Sequence, residues 1–385
     1  MDWSSEEIEF IKNMSEEDFE TYRKIRFGSL SDSIVKAMIL VGIFLFIGYC
    51  CSKAQSFASP EYERIARQAV LDVLQEYDYL EGVERVGVVI MAECGNVVCN
   101  VALKSQEGEM LDIADGNYSY DIPTPLARSV MFLAIVPQIP SSQVIDAGNG
   151  YYVDKEGAVI LDENWTRGGY HCLDILHAQD RSSVAMIKAA EQCFNRNMSL
   201  LCQAINRTGI MFGARAYADE DSYWNGQEIM GSKTHMTLLE IVAYVHAIAK
   251  PDGKIVLRLN EHDTCEPIDS ISNKTGLEEL RKAMRLAVTE GLCLNLKSNY
   301  TNVAGLTHRT ITPDAGMNYN LFAAAYWPFE NPRFTIAVNV TKKGHPTGGR
   351  AFPSRIAQLI IDRITHQEIL SMEEKGKEYI HPAER

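Results

Sequence analysis

The chain has 385 residues, of which 46% are hydrophobic and 23% are charged. These proportions are typical of a globular protein and exclude a disordered, collagen-like or low-complexity chain. The formal net charge of −14 excludes the basic stripe that a nucleic-acid-binding surface needs, so we expect no nucleic-acid partner. Nine cysteines in a chain of this length do not indicate a disulfide scaffold.

An apolar segment near the start predicts one transmembrane helix over residues 34–52. The run IVKAMILVGIFLFIGYCC carries a single charge, at Lys36. A helix of this run is about 27 Å long, close to the ~30 Å hydrocarbon core of a bilayer. More Lys and Arg residues lie close before the span than close after it, which predicts residues 1–33 as a cytoplasmic head and the remainder outside the cytoplasm. A buried soluble helix is the alternative interpretation.

After the span, the predicted elements follow as a helix, a strand hairpin, several helices, two strands and a last helix. Apolar residues recur at helical spacing over 59–80, and β-branched runs over 83–103 flank a Gly-Asn pair, which predicts the hairpin. Cys94 and Cys99 flank the same turn and are the pair best placed for a local disulfide. Further helices are predicted over Pro125–Val136, Ser182–Cys193, Leu238–Ala249, Leu277–Thr289 and Ser354–Thr365, and strands over Leu321–Trp327 and Arg333–Val340. This order predicts the α/β class, with an antiparallel sheet flanked by helices.

Several stretches between about Val86 and Ile364 share their order and spacing with a known family. They are VIDAGNGYY, LDENWTRGGYHCLDILHAQDRSSVAMIKAAEQC, MTLLEIVAYVHAIAKPDGKIVLRL, ELRKAMRLAVTEG, VAGLTHRT and NLFAAAYWPFENPRFTIAVNV. Together they resemble the transpeptidase domain of class B penicillin-binding proteins. The resemblance implies a serine-transpeptidase or β-lactamase-like domain over 85–366, with a stem or linker helix over 53–84 before it and a charged tail over 367–385 after it.

The first catalytic motif of that family, Ser-x-x-Lys at the start of a buried helix, is altered in this chain. The resemblance places Pro125 at the nucleophile and Arg128 at the base, within YDIPTPLARSVMFLAIVPQ. Proline carries no nucleophilic group, and arginine stays protonated in proteins and therefore cannot act as a base. Thr124 and Ser129 flank the site and are the candidates for a substitute nucleophile, although neither has a lysine three residues on.

The second motif, Ser-x-Asn, is also incomplete. It falls at Arg181-Ser182-Ser183, so arginine replaces the proton-relaying serine and Ser183 replaces the asparagine that orients the substrate amide. A one-residue gap would instead align Ser182 and Ser183 with two family serines and delete the asparagine.

The third motif, Lys-Thr-Gly on a strand at the cleft, reads Leu306-Thr307-His308. The leucine removes a cation that would meet a substrate carboxylate, and His308 adds a side chain where the backbone has to approach closely. Thr307 could still donate a hydrogen bond to a carboxylate. His308 has no metal-ligand spacing with other histidines, so we expect no metal site, and nothing in the sequence predicts a cofactor.

Three altered motifs together predict that transpeptidase chemistry is lost. The resemblance then implies an inactive homologue in the inner membrane that binds or scaffolds in peptidoglycan synthesis or division, with peptidoglycan peptide or cell-wall synthesis proteins as partners. Its candidate ligand-binding residues are Arg128, Arg181, Ser182, Ser183 and Thr307, and the two arginines could hold an anionic group together or pair with local acids. The alternatives are an active acyl-serine transpeptidase or carboxypeptidase with an unusual nucleophile, and a membrane protein unrelated to the cell wall.

Overall fold

A computed structural model describes residues 56–76, 82–107, 109–113, 119–155, 157–213, 220–221, 223–312, 318–344 and 351–375. Contacts divide the chain into two units, Met1–Gln55 and Ser56–Arg385. The predicted cytoplasmic head and transmembrane helix therefore lie outside the described residues. Among the residues that are described, no helix is long and apolar enough to cross a membrane.

A six-stranded antiparallel sheet forms the centre of the second unit, in the order β12-β13-β14-β1-β2-β3. Its strands are β1 (Val83–Met91), β2 (Val97–Gln106), β3 (Glu109–Asp112), β12 (Ala304–Thr312), β13 (Asn318–Trp327) and β14 (Phe334–Lys343). Strand β1 joins the two halves of the sheet, since Val88 lies opposite Val338 of β14 on one side and Val101 of β2 on the other. The first and last strands of the unit are thereby held together.

Nine helices are found in the described residues of this unit. They are α1 (Pro60–Glu76), α2 (Thr124–Ile135), α3 (Ile175–Arg181), α4 (Ser183–Phe194), α5 (Met198–Asn206), α6 (Gly226–Ile229), α7 (Leu238–Ala249), α8 (Lys274–Thr289) and α9 (Ala351–Glu374). The short strands β4 (Ser119–Asp121), β5 (Val144–Gly148), β6 (Tyr151–Val153), β7 (Val159–Leu161), β8 (His171–Asp174), β9 (His235–Thr237), β10 (Lys254–Ile255) and β11 (Asp269–Ser270) form two-stranded pairs.

Helices cover both faces of the sheet, which explains why β1 is apolar and buried from Val86 to Met91. Val88 and Ile90 point to the face covered by α1 and α9, whereas Val89 and Met91 point to the face covered by α7. Successive side chains of a strand alternate between faces, so a strand with a helix layer on each side buries nearly every residue. We call the face under α1 and α9 the back of the sheet.

The predicted α/β architecture, an antiparallel sheet flanked by helices, is confirmed. Helix α7 has the predicted bounds, and α2, α4 and α8 agree within three residues. The last helix is longer than predicted, ending at Glu374 rather than Thr365; the added residues are half-buried or exposed, and among them Glu368 pairs with Arg333. Helix α1 packs against α9 and β2, so the segment predicted as a stem lies in the same unit as the sheet.

Cys94 and Cys99, the candidate pair for a local disulfide, are not bonded to each other in the structure. The hairpin connection runs over residues 92–96 and contains a 3-10 turn, Glu93–Gly95, in which Cys94 has a φ of 61° and an exposed side chain. Cys99 is buried inside strand β2. None of the seven cysteines in the described part of the chain forms a disulfide bond.

Candidate functional site

The residues of the three motifs lie where helix α2, the α3–α4 junction and strand β12 meet, and we call this place the cleft. Helix α2 packs against all three of these elements, and every residue from Pro125 to Ile135 is buried. Pro123 is extended and Pro125 sits in the first turn, where a missing N–H costs nothing and the fixed φ suits a helix. The sequence therefore begins a central helix at the position that the resemblance aligns with the family's nucleophile.

Arg128 is buried and its guanidinium binds the end of helix α3. Nε donates to the Gln179 carbonyl and Nη2 donates to the Asp180 carbonyl, each at 2.6 Å, while Nη1 lies 3.4 Å from Ser183 Oγ. The last carbonyls of a helix have no partner within the helix, and a planar guanidinium can bridge two of them. Arg128, which the sequence resemblance aligns with the catalytic base, thus caps the end of α3.

Arg181 does not join Arg128 in a shared anion site. Its Nη2 donates to the Glu290 carbonyl, 3.1 Å away, just after helix α8 ends. The sequence left open whether the two arginines would bind an anion together or pair with local acids. In the structure both guanidinium groups bind backbone carbonyl oxygens, and those oxygens belong to different segments.

The two serines of the second motif begin helix α4. Ser182 Oγ accepts a hydrogen bond from Ala185 N at 2.9 Å and donates to Asp162 Oδ2 at 2.5 Å. Asp162 Oδ1 also accepts from Val184 N at 3.2 Å. Burial raises the pKa of the Asp162 carboxyl above its ordinary value, although these hydrogen bonds and the charge of Arg128 act in the opposite direction. The buried carboxylate is therefore balanced by a serine, a helix N-terminus and an arginine.

The side chains of the third motif alternate between the two faces of strand β12. Leu306 is buried in the apolar core, and Thr307, also buried, places Oγ1 3.5 Å from Cys293 Sγ. That thiol in turn donates to Asp180 Oδ1 at 3.7 Å. His308, half-buried, extends across the cleft, where its Nε2 lies 3.2 Å from Thr124 Oγ1 at the start of α2. The strand and the helix are thereby joined by a hydroxyl–imidazole hydrogen bond.

Of the two candidate substitute nucleophiles, Thr124 faces the cleft and Ser129 faces the interior. Ser129 is fully buried, donates to the Pro125 carbonyl at 2.9 Å and accepts from Gln179 Nε2 at 2.9 Å. Its hydroxyl is therefore committed to the packing of α2 against α3. Thr124 is half-buried and its hydroxyl is paired with an imidazole, which can act as a proton acceptor.

Sequence reasoning missed four polar residues that complete this arrangement, namely Asp162, Gln179, Asp180 and Cys293. Asp180 Oδ2 accepts from Leu292 N at 2.7 Å, so it links α3 to the segment that follows α8. Gln179 and Asp180 directly precede the second motif, which is the one local signal that could have found them. The described residues hold no group of three or more His, Cys, Asp or Glu side chains that could hold a metal ion.

No protein-family model matches the chain, and no curated protein sequence matches it. Solved structures do match. The TP domain of penicillin-binding protein 3 from Burkholderia pseudomallei superimposes with a TM-score of 0.65 at 16% identity, covering 82% of this chain and 96% of that one. The chain has the penicillin-binding transpeptidase fold.

Two further structures share the transpeptidase fold of this chain. A peptidoglycan glycosyltransferase from Burkholderia ambifaria has a TM-score of 0.61 at 14% identity, covering 83% of this chain and 98% of that one. Penicillin-binding protein 2B from Streptococcus pneumoniae strain R6 has a TM-score of 0.63 at 14% identity, covering 85% of this chain but only 61% of its own length. At these identities the likeness establishes the fold and leaves the activity to the residues of the cleft.

Proposed function

We propose that this chain is a membrane-anchored, penicillin-binding-protein-like module of peptidoglycan synthesis or division that binds or scaffolds and does not catalyse acyl transfer. The transpeptidase fold supports the assignment to this machinery, and the apolar run 34–52 supports the anchor. The partners we propose are peptidoglycan peptide or proteins of cell-wall synthesis, met outside the cytoplasm.

The observation that carries the loss of catalysis is the environment of Arg128. A Ser-x-x-Lys enzyme needs a hydroxyl and, one helical turn later, an amine that can lose its proton. Here Pro125 supplies no hydroxyl, and the Arg128 guanidinium is permanently charged and bound to the Gln179 and Asp180 carbonyls. Reverting one residue would therefore leave the other half of the motif unable to act.

Labelling with a fluorescent penicillin tests this proposal directly. The full chain in membranes should give no covalent adduct after long incubation and should not hydrolyse nitrocefin, while an active penicillin-binding protein in the same gel labels normally. Intact mass measurement provides a second readout. A mass increase equal to one bound penicillin would overturn the loss of catalysis.

The anchor is tested separately. Protease added to intact spheroplasts should remove the large domain and leave the N-terminal head protected, and alkaline carbonate should fail to extract the chain. Full protection of the domain would contradict the proposed topology, and release by carbonate would contradict the span.

One observation favours a second candidate, an acyl enzyme with an unusual nucleophile. The Thr124 hydroxyl is within 3.2 Å of His308 Nε2, so the imidazole could accept its proton during attack on a carbonyl carbon. If an adduct forms, Thr124→Val should abolish it and the matched variant Ser129→Ala should keep it. An adduct that persists in Thr124→Val would exclude this nucleophile.

A further inference from the structure

The first described residues of the chain are fixed to one small part of the domain surface. Phe57 N donates to the Leu259 carbonyl at 3.2 Å, and Ser59 N donates to the Val98 carbonyl at 2.8 Å. Ser56 forms a bridge with Asn260. The chain therefore enters the domain between strand β2 and the loop that follows strand β10.

Arg258 makes this part of the surface one connected structure. Its N–H donates to the Gly95 carbonyl at 2.8 Å, and its Nη1 donates to Asn96 Oδ1 at 2.8 Å. Its guanidinium also lies over the Phe57 ring, 4.7 Å from the centroid. We call the surface formed by residues 56–59, 93–96 and 258–268 the amino-terminal face.

The amino-terminal face exposes apolar side chains and thiols together. Leu259 is 43% exposed and Ile268 is 59% exposed. Cys94 and Cys265 are both exposed on the same face. The remaining exposed charges here are mainly acidic, as at Glu261, so electrostatic attraction to anionic lipid does not hold this face.

The length of chain between the predicted span and Ser56 limits how far the amino-terminal face can lie from the membrane. The predicted span ends at residue 52, and the four peptide steps from there to Ser56 reach at most about 14 Å when fully extended. If the first fixed residue of a domain is this close to the end of a membrane span, the surface around that residue lies beside the lipid headgroups.

We propose that the amino-terminal face is the membrane-facing surface of the domain, held against the lipid bilayer by the short tether, with Leu259 and Ile268 nearest the headgroups. The proposal rests on the membrane anchor of the proposed function. Because the tether supplies the proximity, the contact should persist at high salt, where attraction between charges is screened.

The exposed cysteines provide the test. Cys94, Cys172 and Cys265 are the cysteines with exposed side chains among the described residues. Three variants of the full chain each retain one of these three thiols; in all of them the other two, together with Cys50, Cys51 and Cys193, are replaced by serine. Cys172 is the matched control, because it lies on strand β8, which pairs with β5 and packs against α3. Each protein is labelled with a charged fluorescent maleimide, reconstituted into phosphatidylcholine vesicles and examined with nitroxide on the lipid headgroups.

We expect the fluorophores on Cys94 and Cys265 to lose most of their emission and the fluorophore on Cys172 to keep it. A flexible Gly-Ser insertion of about 30 residues after Lys53 adds roughly 30 Å of mean reach and should restore emission at both positions. Unquenched Cys94 and Cys265 in protein that floats with the vesicles would overturn this inference and leave the anchor intact. Protein that does not float would overturn the anchor, and this inference with it.

Discussion

The cleft and the back of the sheet are packed in different ways. The back is apolar, with residues such as Ile65 and Val70 of α1 and Ile360 of α9 meeting Val88 and Val338 of the sheet. The cleft buries Arg128, Asp162, Ser182 and Thr307 among hydrogen bonds that join four separate segments. An apolar layer tolerates a volume-conserving substitution, whereas a buried polar group left without its partner carries its full desolvation cost. The hydrogen bonds among the polar groups of this cleft therefore stabilise the fold.

The largest effect that this comparison predicts is at Arg128. Arg128→Met leaves the buried Gln179 and Asp180 carbonyls without a donor, so we expect it to lower the free energy of unfolding by about 4 kcal/mol. Urea denaturation followed by circular dichroism measures the change. The matched control, Arg181→Met, removes a more exposed guanidinium from a single carbonyl and should cost less than about 1 kcal/mol. Equal losses of stability in the two variants would mean that the burial of Arg128 does not increase its contribution to the free energy of unfolding.

A second prediction concerns His246 of α7, a buried polar group inside an apolar layer. Its Nδ1 lies 2.9 Å from Thr335 Oγ1, and burial, with a smaller contribution from Lys250, lowers its pKa to about 3. The unfolded chain therefore binds a proton between pH 6.5 and 3 that the folded chain does not, so the contribution of His246 is complete above pH 6.5 and is lost as the pH falls.

Relative to pH 7, this loss should reach about 3 kcal/mol at pH 4. The variant His246→Gln keeps a hydrogen-bonding side chain and cannot be charged, so it should lose less stability on acidification. Parallel acid dependence in the two proteins would show that His246 is hydrated in the folded state.

The features of this structure that could be predicted from the sequence are those determined by residues close together in the chain. Helix α7 was predicted with its bounds because Thr237 and Glu240 form a capping box and Pro251 follows its end. The roles of Arg128 and Cys293 were not predicted, because their partners lie as far as 113 residues away and are chosen by tertiary packing.

The contribution of Asp162 to the free energy of unfolding should change with pH in the opposite direction from that of His246. Burial raises its pKa above the ordinary 3.8, so the folded state holds the proton more tightly than the unfolded chain. Its favourable contribution is complete below pH 3.8 and is lost as the pH rises through the raised pKa, with a slope of at most about 1.4 kcal/mol per pH unit. Asp162→Asn should remove that decline, which urea denaturation at a series of pH values from 3.8 upward would measure. An unchanged slope would mean that the carboxylate is ionised at no cost.

The smallest expected effect is at the hydrogen bond that crosses the open part of the cleft. Thr124 and His308 are half-buried, so water can replace either partner, and Thr124→Val should change the free energy of unfolding by less than about 0.5 kcal/mol. Ser129→Ala removes a hydroxyl five residues further along the same helix, but a buried one that serves Gln179, and should cost about 1.5 kcal/mol. Because both changes delete one hydroxyl from α2, their difference isolates burial as the cause. If Thr124→Val proved the more costly of the two, the hydroxyl–imidazole bond would be a principal contact between α2 and β12, and the division between a structural interior and an open cleft surface would fail.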